Sequence, residues 1–393
     1  MDPVRNPYAP GAGQRPPELA GRDAELKTFD VVLERVSRGR PERSVVLTGL
    51  RGVGKTVLLN ALRSAAVRRG WGTGKLEARP DQPLRHPLAA ALHLAIRELA
   101  NPNKDAERHV LGVLKAFAQR EPPASRKNTK ATTRWQPGID VPAVNGRADS
   151  GDIEIDLVEL LSDVAGLAAD TGKGIAVFID EMQDLLPDDV SALCAACHEL
   201  SQQGAPLVVV GAGLPHLPAV LSASKSYSER LFRYSRIDRL DRGAADAALR
   251  RPARDEDADF AEDALDALYE RTAGYPYFVQ AYGKVAWDVA PASPITAADV
   301  AVAAPEAESE LAVGFFGSRY ERATPAEREY LRAMADVSDV QAADDAVPTS
   351  SVAEALGRNP QSLSPARDAL LKKGLVYSGQ RGRIAFTVPH CPE

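Results

Sequence analysis

The chain has 393 residues and a mass of 42.0 kDa, more than one ordinary domain, so two or three modules are expected. Hydrophobic residues at 44% and charged residues at 26% are those of a globular protein, and no run approaches the roughly 18 consecutive apolar residues of a membrane span, so no membrane partner is expected. A formal net charge of -6 argues against a chain that coats nucleic acid as a whole, although a basic face on one module would be hidden in that total.

Residues 1–17, rich in Pro and Gly and without an apolar stretch, read as a flexible arm and not as a secretory signal, which leads to a cytoplasmic expectation. From Glu18 the chain becomes periodic: Gly21-Arg22-Asp23-Ala24-Glu25-Leu26 opens a helix with Asp23 as candidate N-cap, and Leu26, Phe29, Val32, Leu33 and Val36 form its apolar stripe. Gly39-Arg40-Pro41 ends it. Val45-Val46-Leu47 is a short continuous apolar run, as in a strand buried on both faces of a parallel sheet, and a glycine loop then leads into a helix over Thr56 to Arg69. Further helices are expected at Leu88 to Leu99 and Glu107 to Ala118. Residues 119–150 shift to Pro, Gly, Ser, Thr and basic residues, an inserted loop or hairpin.

Order returns with a helix over Ile153 to Ala169, the apolar strand Ile175 to Ile179, a helix after Pro187 and the apolar strand Leu207 to Val210. Strands alternating with helices imply the doubly wound parallel sheet of an α/β domain over 18–240. Beyond about Leu240 the pattern is helical, with Ala244 to Arg250, Ala261 to Thr272 and Pro276 to Val289 forming a module over 241–312. The remainder, 313–393, offers helices at Pro325 to Asp336, Val352 to Leu356 and Leu363 to Lys373, then a hairpin over Leu375 to Val388 across Gly379-Gln380-Arg381-Gly382. Three helices plus a hairpin predict a winged helix-turn-helix. Three cysteines are too few for a disulfide framework. Cys194-Ala195-Ala196-Cys197-His198 has haem-attachment spacing, but it lies in an Ala/Leu-rich helical stretch and reads as small buried helix residues.

The run Thr48-Gly49-Leu50-Arg51-Gly52-Val53-Gly54-Lys55-Thr56 carries the chemistry. Glycines at this spacing let successive amide N–H groups face a phosphate, and the following helix N-terminus adds positive potential. Lys55 supplies a point charge to the β- and γ-phosphates of ATP, and the Thr56 hydroxyl is a ligand for Mg²⁺. Gly49, Gly52, Val53, Gly54, Lys55, Thr56 and Val57 are thus the candidate nucleotide-binding set. The strand Ile175-Ala176-Val177-Phe178-Ile179 ends in Asp180-Glu181, one carboxylate to hold the metal shell and one to orient and polarise the attacking water. Arg230 and Arg233 follow the next strand and by themselves read as ordinary exposed or ion-paired helix arginines.

This set resembles an AAA+ ATPase of the origin-recognition type or its STAND and archaeal-ATPase relatives, over most of the chain from Glu18. The resemblance implies a P-loop NTPase fold followed by a helical lid and a winged helix, with Gly21-Arg22-Asp23 near the adenine, Asp180 as the metal residue, Glu181 as the catalytic carboxylate, and Arg230 and Arg233 where relatives carry an arginine finger that reaches the transferring phosphoryl group across a subunit interface. Gly274-Tyr275-Pro276 is similar to the Gly-x-Pro signature of STAND NTPases and implies that Pro276 contacts nucleotide from the lid. One departure stands out: the strand Leu207 to Val210 continues Gly211-Ala212-Gly213-Leu214-Pro215, without the polar sensor that the resemblance leads one to expect. A second departure is that the lid carries Gly274-Tyr275-Pro276 where AAA+ initiators present an Arg, and both favour a slow switch over a fast motor. In the last module Arg358, Arg367, Lys372, Lys373, Arg381 and Arg383 outnumber Glu354, Asp368 and Glu393, a local excess that suits duplex DNA, while the same module in STAND proteins packs on its own nucleotide domain. Protein partners and a homo-oligomer stay open, as does a scaffold that binds nucleotide for stability alone.

Overall fold

The computed structural model describes residues 1–11, 13–120, 138–317, 320–321, 323–340, 346–378 and 382–387. Most of the insertion, residues 121–137, lies outside the described residues, as do Gly379, Gln380 and Arg381 of the expected hairpin turn, Val388 and Glu393. The chain divides into two compact units. One comprises Arg22–Thr48 and Lys55–Arg236; the other comprises Met1–Gly21, Gly49–Gly54 and Ile237–Glu393.

The unit of Arg22–Thr48 and Lys55–Arg236 is built on five parallel strands: β1 (Ser44–Thr48), β2 (Gly72–Glu77), β3 (Ile175–Asp180), β4 (Leu207–Gly213) and β5 (Phe232–Arg236), in spatial order β2-β3-β4-β1-β5. Every residue of β1, β3 and β4 is buried, as continuous apolar strands of a parallel sheet require. Its helices are α1 (Asp23–Ser37), α2 (Lys55–Arg68), α3 (Arg85–Leu99), α4 (Lys104–Gln119), α5 (Ile153–Ala169), α6 (Pro187–Gln203), α7 (Leu217–Ser224) and α8 (Ser228–Leu231). Asp152 caps α5 by accepting from the Glu154 and Ile155 amides, and Pro187 begins α6, where its missing N–H costs nothing. Asp23 is not the N-cap of α1. Arg22 holds that position without a side-chain cap, and Asp23 and Glu25 instead place carboxylates in the first turn, where the helix dipole favours them.

Two strands of this sheet were not expected from the sequence. β2 reads Gly72-Thr73-Gly74-Lys75 at its start, with no apolar run, because α3 packs on its backbone: a Cβ at Gly72 would stand 2.3 Å from the Ala95 carbonyl oxygen and one at Gly74 2.6 Å from that of Ala91. β5 is the opposite edge of the sheet, only half buried beyond Phe232, and its polar residues do not alternate strongly enough to announce a strand. A buried ion pair ties three of these helices together. Asp156 on α5 accepts from Arg85 on α3 at 2.8 Å, and the guanidinium also donates to the Phe117 carbonyl of α4 and lies over that residue's ring. Burial alone pushes the Asp156 carboxyl up, but hydrogen bonds from the Ser150 hydroxyl, Arg85 and the Ser150 amide outweigh it and hold the group below the ordinary range.

In the other unit, α9 (Arg242–Asp255), α10 (Glu262–Thr272), α11 (Pro276–Val289) and α12 (Ala297–Leu311) follow one another, the last begun by a Thr296/Asp299 capping box. The expected flexible arm is packed instead. Tyr8 is 4% exposed and donates its hydroxyl to the Leu249 carbonyl, Trp287 donates to the Asp2 carbonyl at 2.9 Å, and Arg5 pairs with Glu256 at 2.9 Å. One aromatic anchor and satisfied main-chain groups order a segment whose Pro and Gly content signals only the lack of a helix. The C-terminal elements are α13 (Pro325–Val340), β6 (Ala346–Pro348), α14 (Thr349–Ala355), α15 (Ser364–Lys372), β7 (Val376–Tyr377) and β8 (Arg383–Phe386). The antiparallel sheet runs β6-β8-β7, and Tyr330, Met334, Val352, Leu370 and Ile384 form the core of these elements.

Candidate functional site

The glycine run follows β1 and leads directly into α2, whose first residue is Lys55. Gly52 (φ 82°) and Gly54 (φ 89°) have left-handed backbones that curl the chain, the geometry in which consecutive amides face one side. Val53 is buried, Lys55 is 7% exposed, and Thr56 and Val57 are half-buried. A 14-residue helix whose first turn carries Lys55 and Thr56 presents positive potential to an anion there.

β3 delivers the carboxylates. Asp180, its last residue, is 6% exposed and is hydrogen-bonded by the Thr56 side chain. Burial pushes the Asp180 carboxyl up from its ordinary value, the Glu181 charge adds to this, and the Thr56 bond and the Lys75 charge oppose it. Glu181 follows in a left-handed backbone (φ 51°, ψ 41°), a conformation that costs a non-glycine residue energy and turns the chain sharply at the strand end. Its carboxylate Oε2 accepts from Gln183 Nε2 at 2.6 Å, and Gln183 Oε1 accepts the Leu214 N–H at 3.1 Å.

Two side chains of this neighbourhood escaped the sequence reading. Lys75 lies on β2, the strand without an apolar signature, two residues before Glu77, which pairs with Asp180 in the sheet register; its Nζ donates to Asn60 Oδ1 at 2.6 Å. Gln183 stands three positions after Asp180, and nothing in its spacing distinguishes it from a loop residue.

The two arginines separate. Arg230 is exposed at the end of α8. Arg233 is not a helix residue but belongs to β5, opposite Val45 of β1, and approaches Glu42 at 3.7 Å, a carboxylate that Arg35 also engages. Pro276 is the first residue of α11, preceded by Tyr275, over whose ring the Arg239 guanidinium lies at 5.5 Å. Cys194 and Cys197 are buried within α6 as free thiols pushed up by burial to about 11 and about 12, so neither is a reactive thiolate.

Within the unit that holds Gly49–Gly54, the loop is tied to the C-terminal elements. The Arg51 N–H donates to the Thr387 carbonyl at 3.1 Å, and Arg51 Nε donates to the Gly374 carbonyl at 3.1 Å. The Thr387 hydroxyl donates to that same Gly374 oxygen at 2.7 Å. Of the basic residues expected to form a phosphate-facing surface, Arg358 pairs with Glu329 at 3.0 Å, Arg367 with Asp368 at 3.1 Å and Lys373 with Glu327 at 2.6 Å, while Arg383 donates to the Ala346 carbonyl. Lys372 is exposed, and Arg381 lies outside the described residues.

A five-stranded parallel sheet in this order, with a glycine loop between β1 and α2 and an Asp-Glu pair closing β3, defines a P-loop NTPase. Residues 18–210 match the AAA ATPase domain, so this stretch is an AAA-type P-loop ATPase domain, and residues 313–393 match a domain of unknown function, DUF8462. No curated protein matches the sequence. Among solved structures the chain is similar in fold to the Walker-type ATPase PABY2304 of Pyrococcus abyssi, with 16% identity, 95% of each chain covered and a TM-score of 0.59. It also aligns with the RuvB Holliday junction branch migration motor of Thermotoga maritima (17% identity, 95% of this chain and 96% of that one, TM-score 0.47). A third alignment is with Cdc6p of Pyrobaculum aerophilum (16% identity, 98% and 94%, TM-score 0.46). Among the described residues no helix is long and apolar enough to cross a membrane.

Proposed function

We propose that the protein is an AAA+/STAND-like ATPase acting as a slow nucleotide-dependent switch, with an ATPase domain over 18–240, a helical lid over 241–312 and a winged helix over 313–393. The observation that carries the nucleotide chemistry is the Thr56 side chain bonded to the buried Asp180, in chain continuity with Lys55 on one side and Glu181 on the other. A hydroxyl and a carboxylate are hard oxygen donors and fit Mg²⁺. Mg²⁺ is commonly held by one or two carboxylates together with water and substrate phosphates, so a single carboxylate and a hydroxyl suffice as protein ligands. When bound, the Mg²⁺–ATP complex supplies the phosphoryl group that passes to water.

The loop amides and Lys55 bind the phosphates, Glu181 orients the water and takes its proton, and Val57 and Pro276 belong to the nucleotide-binding set. Of the two arginines, exposed Arg230 is better placed than Arg233 to reach a second copy in a homo-oligomer, since Arg233 faces Glu42. Two features support a switch over a motor: β4 ends without a polar side chain of its own, and Arg51 of the phosphate loop is bonded to Gly374 and Thr387. A DNA-binding regulator receives less support, because Glu327, Glu329 and Asp368 already neutralise Lys373, Arg358 and Arg367.

Calorimetric ATP titration of the parent and Lys55→Ala, with phosphate release followed in the absence and presence of duplex DNA, tests this. Binding is expected in the parent alone, with turnover below the median enzyme value of about 10 per second and insensitive to DNA. Unchanged ATP affinity in Lys55→Ala would remove the P-loop assignment. DNA binding whose log-log salt slope falls by about 0.9 for each basic side chain neutralised would favour the regulator. A melting temperature raised by ATP without any turnover would leave the nucleotide a structural ligand.

A further inference from the structure

In the sheet, β4 lies between β1 and β3, so its C-terminal end falls between the strand that leads to the phosphate loop and the strand that delivers Asp180 and Glu181. That end offers no polar side chain: it reads Gly211-Ala212-Gly213-Leu214-Pro215. The two glycines have a steric reason. A Cβ at Gly211 would stand 1.8 Å from Met182 Sδ, and one at Gly213 would stand 2.7 Å from Gln183 Oε1 and from Leu217. Larger residues at either position would displace the turn after β3. The Met182 thioether takes the space at Gly211, and Leu217 and the Gln183 amide take that at Gly213; the amide NH₂ donates to Glu181 Oε2 at 2.6 Å and its oxygen accepts the Leu214 N–H at 3.1 Å. With one end acting only as donor and the other only as acceptor, the amide has one productive orientation.

We propose that Gln183 supplies the polar group that β4 lacks: a positioning residue, delivered from the turn after β3, that fixes the Glu181 carboxylate against the end of β4 for its work on water. The inference rests on the reading of Glu181 as the carboxylate that polarises the nucleophile. Holding Oε2 stops rotation about the last side-chain torsion, so Oε1 keeps one direction, and a general base acts only within hydrogen-bond reach of the proton it takes. The left-handed backbone at Glu181 fixes the start of this side chain, and Gln183 fixes its end.

Gln183→Leu removes both bonds at similar volume. Gln183→Glu is the sharper variant, because an ionised carboxylate keeps an acceptor for the Leu214 N–H and cannot donate to Glu181. Both are expected to lower kcat about tenfold, a fraction of the hundredfold or more that a positioned general base supplies, while ADP affinity by calorimetry stays within about twofold. In a Glu181→Gln background, Gln183→Leu should change kcat less than about twofold, since residues that act as a unit are not additive. Parent-like kcat in Gln183→Glu overturns the proposal, and so do losses that multiply in the double variant, the mark of a structural role independent of Glu181. Parent-like turnover in Glu181→Gln alone rejects the reading of Glu181 and the proposal together. A slowed Glu181→Gln beside a fully active Gln183→Leu rejects the positioning role only.

Discussion

Arg51→Ala isolates the tie between the phosphate loop and the C-terminal elements. The substitution deletes the guanidinium bond to the Gly374 carbonyl and leaves the backbone bond from residue 51 to Thr387 in place. A hydrogen bond from a charged donor contributes about 1.5–3 kcal/mol, and Arg51 is half-buried, which argues for the lower end. About 1.5 kcal/mol is roughly a tenfold shift between the docked and released forms. If the docked form is the slow one, turnover rises by up to about tenfold. Thr387→Val approaches the same oxygen from the other side by removing the hydroxyl bonded to Gly374. A neutral hydrogen bond near 1 kcal/mol sets its expected increase at about fivefold. Steady-state phosphate release at saturating ATP reads the effect, and ATP affinity measured in parallel separates it from any change in binding. Turnover unchanged or reduced in Thr387→Val, with ATP affinity retained, would refute the argument that these bonds restrain the switch.

Glu181→Gln should retain ATP binding and slow hydrolysis at least a hundredfold, because the amide keeps the shape and loses the base; equal single-turnover rates at saturating ATP would move the catalytic carboxylate elsewhere. Asp180→Asn should stabilise the nucleotide-free protein by about 1 kcal/mol, roughly 2–4 °C in melting temperature, while weakening Mg²⁺-dependent ATP binding. The folded Asp180 carboxyl titrates above its unfolded value, so the stability linked to it is complete below the unfolded pKa and lost as pH rises through the folded one. A variant that melts lower than the parent at neutral pH would contradict this. Asp156→Ala strands Arg85 in the interior and should cost about 3–5 kcal/mol. Because the Asp156 carboxyl is held below its unfolded value, its contribution is present above that value and disappears as pH falls through the folded one. Denaturant titrations of parent and variant should therefore converge in acid, and a constant difference down to pH 2 would exclude the ion pair as the cause.

Which parts of the fold and site are legible in the sequence follows from where each segment's partners lie. β1, β3 and β4 are buried on both faces and carry continuous apolar runs, so they announce themselves along the chain, and the motifs at the ends of β1 and β3 are found with them. β2 is recognised only through α3, whose carbonyls leave no room for side chains at Gly72 and Gly74, and with the strand hidden, Lys75 and its charge near Asp180 are hidden too. The basic excess near the C-terminus is a property of the linear window: Arg358 and Lys373 are paired with Glu329 and Glu327 of α13, acids 29 and 46 positions earlier that a local count does not include. The end of β4 shows the same principle at the site itself. Read along the chain, Gly211 to Pro215 lacks a polar side chain; read across the sheet, those glycines are the clearance that the turn carrying Met182 and Gln183 requires. Sequence pattern reports what a residue needs from its neighbours in the chain, whereas a positioning contact such as Gln183 to Glu181 and Leu214 depends on which strand ends the topology sets side by side.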